Sequence, residues 1–360
     1  MKKNLLLLFF SILLMVALGE GFARIYLKQD QAKVESPREN WIRVPEQIWT
    51  EYHPVLGWVH QKNKHAKLQT QHFDVPVMTN SAGLRGEREY DTAKPKSVTR
   101  LLVLGDSFVF GFGVNEEDTF ARRLENRDTL LEVLNFGVPG YGIDQILLQY
   151  RSFAQKYETD LVLIGVFPEM FWRATRAFTD SGYAKPYFIL SKGKRLLLKN
   201  VPVPEPYKLR NDQFPDLVEA GSFERLLIKS AFYRLLKPRL LKLGRNLRMI
   251  DPETSEEWIV GREILYQLTQ EIRAAKAIPV LVILPPDRWV QSDRKTSLRK
   301  SLLRFSERHD VKMIDLTPYF TEAVKKSKLT DYYMEGDWHW TAQGHKLAAD
   351  KISQYLLNIL

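Results

Sequence analysis

From Thr99 onward the chain alternates short, almost wholly apolar runs with longer amphipathic segments, and this alternation restricts the fold more than any other feature. Leu101-Leu102-Val103-Leu104 ends at Gly105, and Glu132-Val133-Leu134-Asn135 leads into the turn Gly137-Val138-Pro139-Gly140. Asp160 to Phe167 (DLVLIGVF) and Pro279 to Leu284 (PVLVIL) follow, the latter stopped by Pro285-Pro286, and Lys312-Met313-Ile314-Asp315-Leu316 is the fifth run. Apolar runs this short, bounded by Gly and Pro, read as strands. Helical periodicity occupies roughly 118–127, 143–157, 257–276, 295–308 and 341–358. Strand and helix in strict alternation predict right-handed crossovers and a parallel sheet covered by helices on both faces, an α/β fold. Ligands of such sheets bind beyond the carboxyl ends of the strands. The predicted site therefore draws on Gly105-Asp106-Ser107, Gly137–Gly142, the stretch after Phe167 and the stretch after Leu316.

Three further segments surround this pattern. Residues 28–98 are polar and turn-rich and read as an arm that folds against the main domain, which runs from 99 to 360. Residues 171–256 are too long for a plain connection and are expected to form an inserted cap. Within it, Phe223 to Arg248 carries Arg225, Lys229, Arg234, Lys237, Arg239, Lys242, Arg245 and Arg248 among many leucines. Such a stretch suits either a solvated cap helix or the surface of an anionic bilayer. At the amino end, Lys2 and Lys3 precede an uncharged, mainly apolar run from Asn4 to Gly19. Apolar character resumes after Glu20 as far as Leu27. Residues 1–27 are read as an uncleaved signal anchor with the lysines cytoplasmic and the rest of the chain outside, in the periplasm. Cleavage near Ala17 or Gly19, which would release a secreted protein, is the alternative.

The chain has no cysteine, which excludes disulfides, thiolate nucleophiles and Cys-ligated zinc. A net charge of +10 points to an anionic partner, membrane surface or acidic polysaccharide rather than nucleic acid, because no nucleic-acid motif or basic arm is present. His53, His60, His65 and His72 lack the spacing and acidic company of a metal site, so no metal is expected. Gly111-Phe112-Gly113 lacks the third glycine of a dinucleotide loop and reads as a turn. Arg85 reads as an exposed arginine of the arm, and His345 as packing with the last helix.

Ser107 follows a buried strand at a turn into a helix, where its hydroxyl stands above the sheet and backbone N–H groups face a developing oxyanion. A serine needs a base. Of the seven histidines, His339 in Gly336-Asp337-Trp338-His339-Trp340 lies just before the terminal helix, with Asp337 at hand to orient its ring.

These blocks resemble those of the SGNH/GDSL hydrolases. Gly105-Asp106-Ser107-Phe108 is similar to the first block, with Phe for Leu. Asn135-Phe136-Gly137-Val138-Pro139-Gly140 is similar to the second, and Asp337-Trp338-His339 with Thr341–His345 to the last, here with one residue between Asp and His where many members have two. Tyr52-His53-Pro54-Val55-Leu56-Gly57-Trp58 and Asn80-Ser81-Ala82-Gly83-Leu84-Arg85 resemble the arm of a bacterial branch that carries an amino-terminal membrane segment. The resemblance implies a three-layer α/β/α sandwich with a five-stranded parallel sheet, the flavodoxin-like SGNH hydrolase fold. It implies Ser107, Asp337 and His339 as catalytic residues, Ser107 and Gly140 as oxyanion donors, and no cofactor. The third block departs: alignment on Val162–Pro168 puts Glu169 where the family has a donating Asn. A carboxylate accepts and cannot donate. Glu169 either donates in protonated form or stays ionised and turns to a cation such as Arg173; the second is expected because the two lie about one helical turn apart.

The function expected is a membrane-anchored serine esterase acting on O-acyl, notably O-acetyl, groups of envelope carbohydrate. The alternatives are an O-acyltransferase using the same triad with a membrane acyl-donor partner, and a catalytically weak glycan-binding or assembly protein.

Overall fold

The computed structural model describes residues 49–204 (without 71, 180–182, 192 and 194), 230–233 and 255–359 (without 293–296), and at the amino end 11, 15 and 17–25. They belong to two compact units: Met1–Arg43 with Leu209–Ile250, and Val44–Lys208 with Asp251–Leu360. Among the described residues no helix is long and apolar enough to cross a membrane. Most of the anchor expected at 1–27 and most of the basic stretch Phe223–Arg248 lie outside the described residues.

The larger unit begins with two antiparallel hairpins, β1 (Thr50–His53) with β2 (Gly57–His60) and β3 (His65–Gln69) with β4 (Asp74–Met78). The sequence had offered only a turn-rich arm here. Period-two burial makes β3 and β4 one-sided: Leu68, Val75 and Val77 point inward while Lys67 and Pro76 face out. Leu68, Val75 and Val77 join Trp49, Phe110 and Phe112 in one apolar cluster, so the arm packs on the segment that follows Ser107.

The main sheet contains β5 (Thr99–Gly105), β6 (Leu131–Gly137), β7 (Leu161–Val166), β10 (Ile278–Ile283) and β11 (Lys312–Asp315), all parallel, in the order β11-β10-β7-β5-β6. These are the five apolar runs of the sequence. A separate hairpin pairs β8 (Tyr187–Leu190) with β9 (Leu196–Lys199). Connections leave β5 toward one edge and return past it to β7, so the topological switch point lies between β5 and β7.

Helices α1 (Ser107–Phe110), α2 (Phe120–Glu125), α3 (Ile143–Ser152), α4 (Pro168–Arg173) and α5 (Glu256–Ala274) precede α6 (Asp287–Ser292), α7 (Ser297–His309), α8 (Thr317–Lys326), α9 (Leu329–Tyr332) and α10 (Ala342–Leu356). Helices α3, α4 and α5 pack together, and α2, α8, α9 and α10 form a second group. Right-handed crossovers put the two groups on opposite faces of the sheet, which gives three layers. Local chemistry fixes the ends. Ser255 caps α5 by accepting the Trp258 N–H at 3.2 Å, and Thr341 caps α10 by accepting that of Gly344 at 3.2 Å. At the end of β6 a Cβ on Gly137 would stand 2.2 Å from the Phe110 nitrogen, so only glycine lets this strand end meet α1.

Arg85 corrects the expectation of an exposed arginine. It is buried, lies 4.3 Å from the Phe110 ring centroid, and donates to Val114 O at 2.7 Å and Gly111 O at 3.3 Å. The reason is the turn Asn80–Leu84, in which Asn80 Oδ1 accepts the N–H groups of Ala82 (3.0 Å) and Leu84 (2.9 Å) and aims Arg85 inward. Gly111 carries φ +79° as the cap of α1, in keeping with the turn read at Gly111-Phe112-Gly113.

His60 and His345 are both buried. His60 Nδ1 meets Gly83 O at 3.1 Å, and burial lowers its pKa to about 4. His345 Nδ1 accepts the Phe120 N–H at 3.3 Å, and burial lowers its pKa to about 3. The unfolded chain therefore binds protons that the folded chain refuses. Stability is full above the unfolded value near 6.5 and falls as pH drops toward the folded values, by about 2–3 kcal/mol per histidine at pH ~4.5. Urea unfolding at pH ~7.5 and pH ~4.5 is expected to show that loss, and His60→Gln should reduce it; an unchanged pH dependence in the variant contradicts the assignment.

Candidate active site

Gly105 ends β5, and Asp106 caps the short helix α1 that Ser107 opens, its Oδ1 accepting the Phe108 N–H at 3.1 Å. At the first helical position the Ser107 N–H has no acceptor within the helix, and none among the other described residues. The hydroxyl meets His339 Nε2 at 2.8 Å, and His339 Nδ1 meets Asp337 Oδ1 at 2.5 Å. All three side chains are buried. A carboxylate can only accept, so Nδ1 carries the imidazole proton and Nε2 is left to accept from the serine. Burial raises the pKa of Asp337, but the hydrogen bond and positive potential of His339 outweigh it and hold the carboxyl below its ordinary range.

The spacing Asp337-Trp338-His339 works because the carboxylate serves its own turn. Asp337 Oδ1 also accepts the backbone N–H of His339 at 2.9 Å, an Asx turn that brings the imidazole two residues on back to the same oxygen. Gly336, at φ +72°, starts the turn, and a Cβ there would strike the His72 ring at 2.5 Å. The Tyr333–Trp340 bridge closes it, with Tyr333 Oη donating to Pro285 O at 2.9 Å. Between the two triad members Trp338 stacks on His339 (4.1 Å) and Phe167 (5.3 Å) and remains 39% exposed. Phe108 and Phe112 cover other sides of the imidazole at 5.3 and 4.8 Å.

Gly140 has φ +85°, which a side chain rarely adopts, and its N–H has no acceptor among the described residues. The arm holds this loop. Trp58 Nε1 donates to Pro139 O at 3.2 Å, Tyr141 Oη donates to Trp58 O at 2.5 Å, and Gln145 Nε2 donates to Leu56 O at 2.8 Å. The Tyr52–Trp58 motif thus acts as a clamp on the Gly140 loop, a role the sequence alone did not disclose.

Glu169 lies in the first turn of α4 and pairs with Arg288 of α6, not with Arg173. The expectation of an ionised Glu169 turned toward a cation had the wrong cation. Arg173 is taken by a buried partner: its Nη1 donates to Asp106 Oδ2 at 3.1 Å and to Tyr141 O at 2.9 Å. One guanidinium nitrogen thereby ties the turn that carries Ser107 to the loop that carries Gly140. Burial raises the Asp106 pKa, opposed by the Arg173 charge. Behind it, Lys185 is fully buried against Asp144 and donates to Arg173 O (2.9 Å), Arg176 O (3.2 Å) and Pro186 O (2.7 Å). The signal that could have found Arg173 is elementary: a carboxylate directly after a buried strand needs a cation. No three or more His, Asp or Glu side chains gather as a metal site among the described residues.

No family model matches the chain, and no curated protein matches it. Among solved structures it is similar to a member of the lipolytic protein G-D-S-L family from Veillonella parvula, at 11% identity and TM-score 0.41, over 71% of this chain and 96% of that one. It is similar also to the lipase/acylhydrolase from Enterococcus faecalis, at 14% identity and TM-score 0.39, over 73% and 97%. A third is a catalytic mutant of an acetylxylan esterase from Geobacillus stearothermophilus, at 13% identity and TM-score 0.41, over 72% and 95%. Likeness this distant leaves the chemistry to be read from the site.

Removing one member of a buried ion pair strands the other charge at a cost of about 3–5 kcal/mol. Arg173→Ala is expected to lose that much stability in urea, and Asp106→Asn added to it should restore part of the loss. Additive effects of the two substitutions would show that the pair is not coupled.

Proposed function

We propose that this chain is a serine ester hydrolase in which Ser107 is the nucleophile, His339 the general base and Asp337 the group that orients the base and stabilises its protonated form. The observation that carries the reading is the unbroken line Ser107 Oγ–His339 Nε2–Asp337 Oδ1, at 2.8 and 2.5 Å. Ser107 Oγ attacks the acyl carbonyl as its proton passes to Nε2. The N–H groups of Ser107 and Gly140, neither with an acceptor among the described residues, are donors available to the oxyanion. Collapse expels the alcohol, protonated by His339, and leaves an acyl-serine that water hydrolyses by the same route in reverse. Glu169, tied to Arg288, takes no part in this sequence.

The substrate class we infer is an acylated carbohydrate with a small acyl group, such as acetyl. Support comes from Trp338, a residue 39% exposed beside the base and stacked on Phe167. A sugar ring has an apolar face, and a rigid aromatic plane next to the reacting atoms is a surface on which it can pack.

Hydrolysis of nitrophenyl acetate is expected to fall by at least ~10³-fold in kcat for Ser107→Ala, and by orders of magnitude with the fold intact for Asp337→Asn. Glu169→Gln should stay within about tenfold, or ~1.4 kcal/mol, of the parent. Undiminished turnover in Ser107→Ala overturns the assignment.

Trp338→Ala separates the substrate class from the chemistry. On an acetylated oligosaccharide kcat/KM is expected to drop by at least about tenfold, with nitrophenyl acetate much less affected. Equal losses on both substrates would argue that Trp338 supports His339 and does not hold a sugar.

A further inference from the structure

The triad leaves one of its own polar atoms unserved. Asp337 Oδ1 takes both the main-chain N–H and the ring nitrogen of His339, whereas Oδ2 is buried and has no hydrogen-bond partner among the described residues. The side chain as a whole is fully buried. A carboxylate oxygen in that position depends on the field around it, and a positive group nearby counts for more there than in water.

The tip of the β3–β4 hairpin brings such a group. Thr70 Oγ1 accepts the N–H groups of His72 (3.1 Å) and Phe73 (3.3 Å), and the Thr70 N–H donates to Phe73 O at 2.9 Å. This turn sends two consecutive side chains toward the triad. Phe73 meets Phe112 edge-on at 5.5 Å, and Phe112 covers the His339 ring. His72 meets the residue before Asp337: its Cε1, Nε2 and Nδ1 lie 2.5, 3.2 and 3.3 Å from where a Cβ on Gly336 would stand. The edge of the ring that carries both nitrogens is therefore the one turned to Gly336. That edge holds one N–H when the imidazole is neutral and two when it is protonated. The positive potential of His72 adds to that of His339 in holding the Asp337 carboxyl below its ordinary range. The ring itself is exposed and lines an open cavity with Thr330, Met334, Glu335 and Thr341, so it exchanges protons with solvent. Other charged groups surround the pair. Asp106 at the cap of α1 and His345 of α10 both feel His339, and burial lowers the His345 pKa to about 3. Glu335 stands in the same turn as Asp337, and on the hairpin Lys67 and Asp74 pair with each other at 2.8 Å.

We propose that His72 is a positioning residue for Asp337: it sets the positive edge of its ring against the Gly336-Asp337 turn, tempers the pull of the carboxylate on the imidazolium, and so keeps His339 neutral and able to take the Ser107 proton at lower pH. The inference rests on His339 being the base named above, so its test reads the protonation of His339 and not turnover. The histidine ring signals of the full chain are titrated by NMR, those of His339 being identified by their loss in His339→Gln. His72→Phe keeps a ring and removes its polarity, and the His339 midpoint is expected to rise by about half a unit. His72→Lys keeps a positive charge throughout, and the midpoint should return to the parent's value or fall below it. The difference between the two variants should shrink in ~1 M salt, as an exposed charge requires. An unchanged midpoint in His72→Phe, or the same rise in His72→Lys, would assign His72 to packing alone and overturn the proposal. Neither outcome touches the ester chemistry, which stands or falls with Ser107→Ala.

Discussion

Asp106 sits at 0% exposure directly after an apolar strand, and everything at the site is arranged around compensating that buried charge. A carboxylate taken out of water costs several kcal/mol unless a cation and hydrogen bonds replace the solvent. Arg173 supplies the cation, the Phe108 N–H supplies a donor, and both bonds act on the turn that presents Ser107. Because the same guanidinium nitrogen also holds Tyr141 O, the ends of β5 and β6 and the start of the segment after β7 are fixed by one group. An apolar replacement could match such a pair in stability but would not hold these turns in register.

The second buried pair extends the same logic. Lys185 faces Asp144 in the first turn of α3, and its two remaining protons are shared among the main-chain oxygens of Arg173, Arg176 and Pro186. The carbonyl of the residue that carries the first cation is thereby held by the second. On the far side of the Gly140 loop the arm supplies Trp58 and Leu56 as hydrogen-bond partners to Pro139, Tyr141 and Gln145. The loop is held from two sides, which leaves its φ +85° glycine little freedom to relax.

The sheet was readable because each of its strands is a mainly apolar run of four to eight residues stopped by Gly, Pro or a polar turn, and such runs have few other ways to be buried. Ser107, His339 and Asp337 were readable as a trio because order and local context restrict the candidates. Arg173 was misassigned for a definite reason. Helical spacing brought it next to Glu169, whereas the structure turns its side chain toward the older demand of Asp106, sixty-seven residues upstream, and leaves Glu169 to Arg288. Local spacing cannot rank two acceptors when one is distant in sequence and buried. Arg85 was misplaced likewise, since only the Asn80 turn shows that it points inward. The hairpins at 50–78 escaped notice because Pro76 and Lys67 dilute an alternation that is only five residues long.

The account rests on the Ser107 hydroxyl being activated by a buried imidazole. Treatment of the full chain with a fluorophosphonate, followed by mass spectrometry of the digested protein, tests this without any assumption about substrate. The predicted result is one equivalent of adduct on the peptide containing Ser107, abolished in His339→Ala. Adduct on a different serine, or labelling of Ser107 undiminished in His339→Ala, would contradict it.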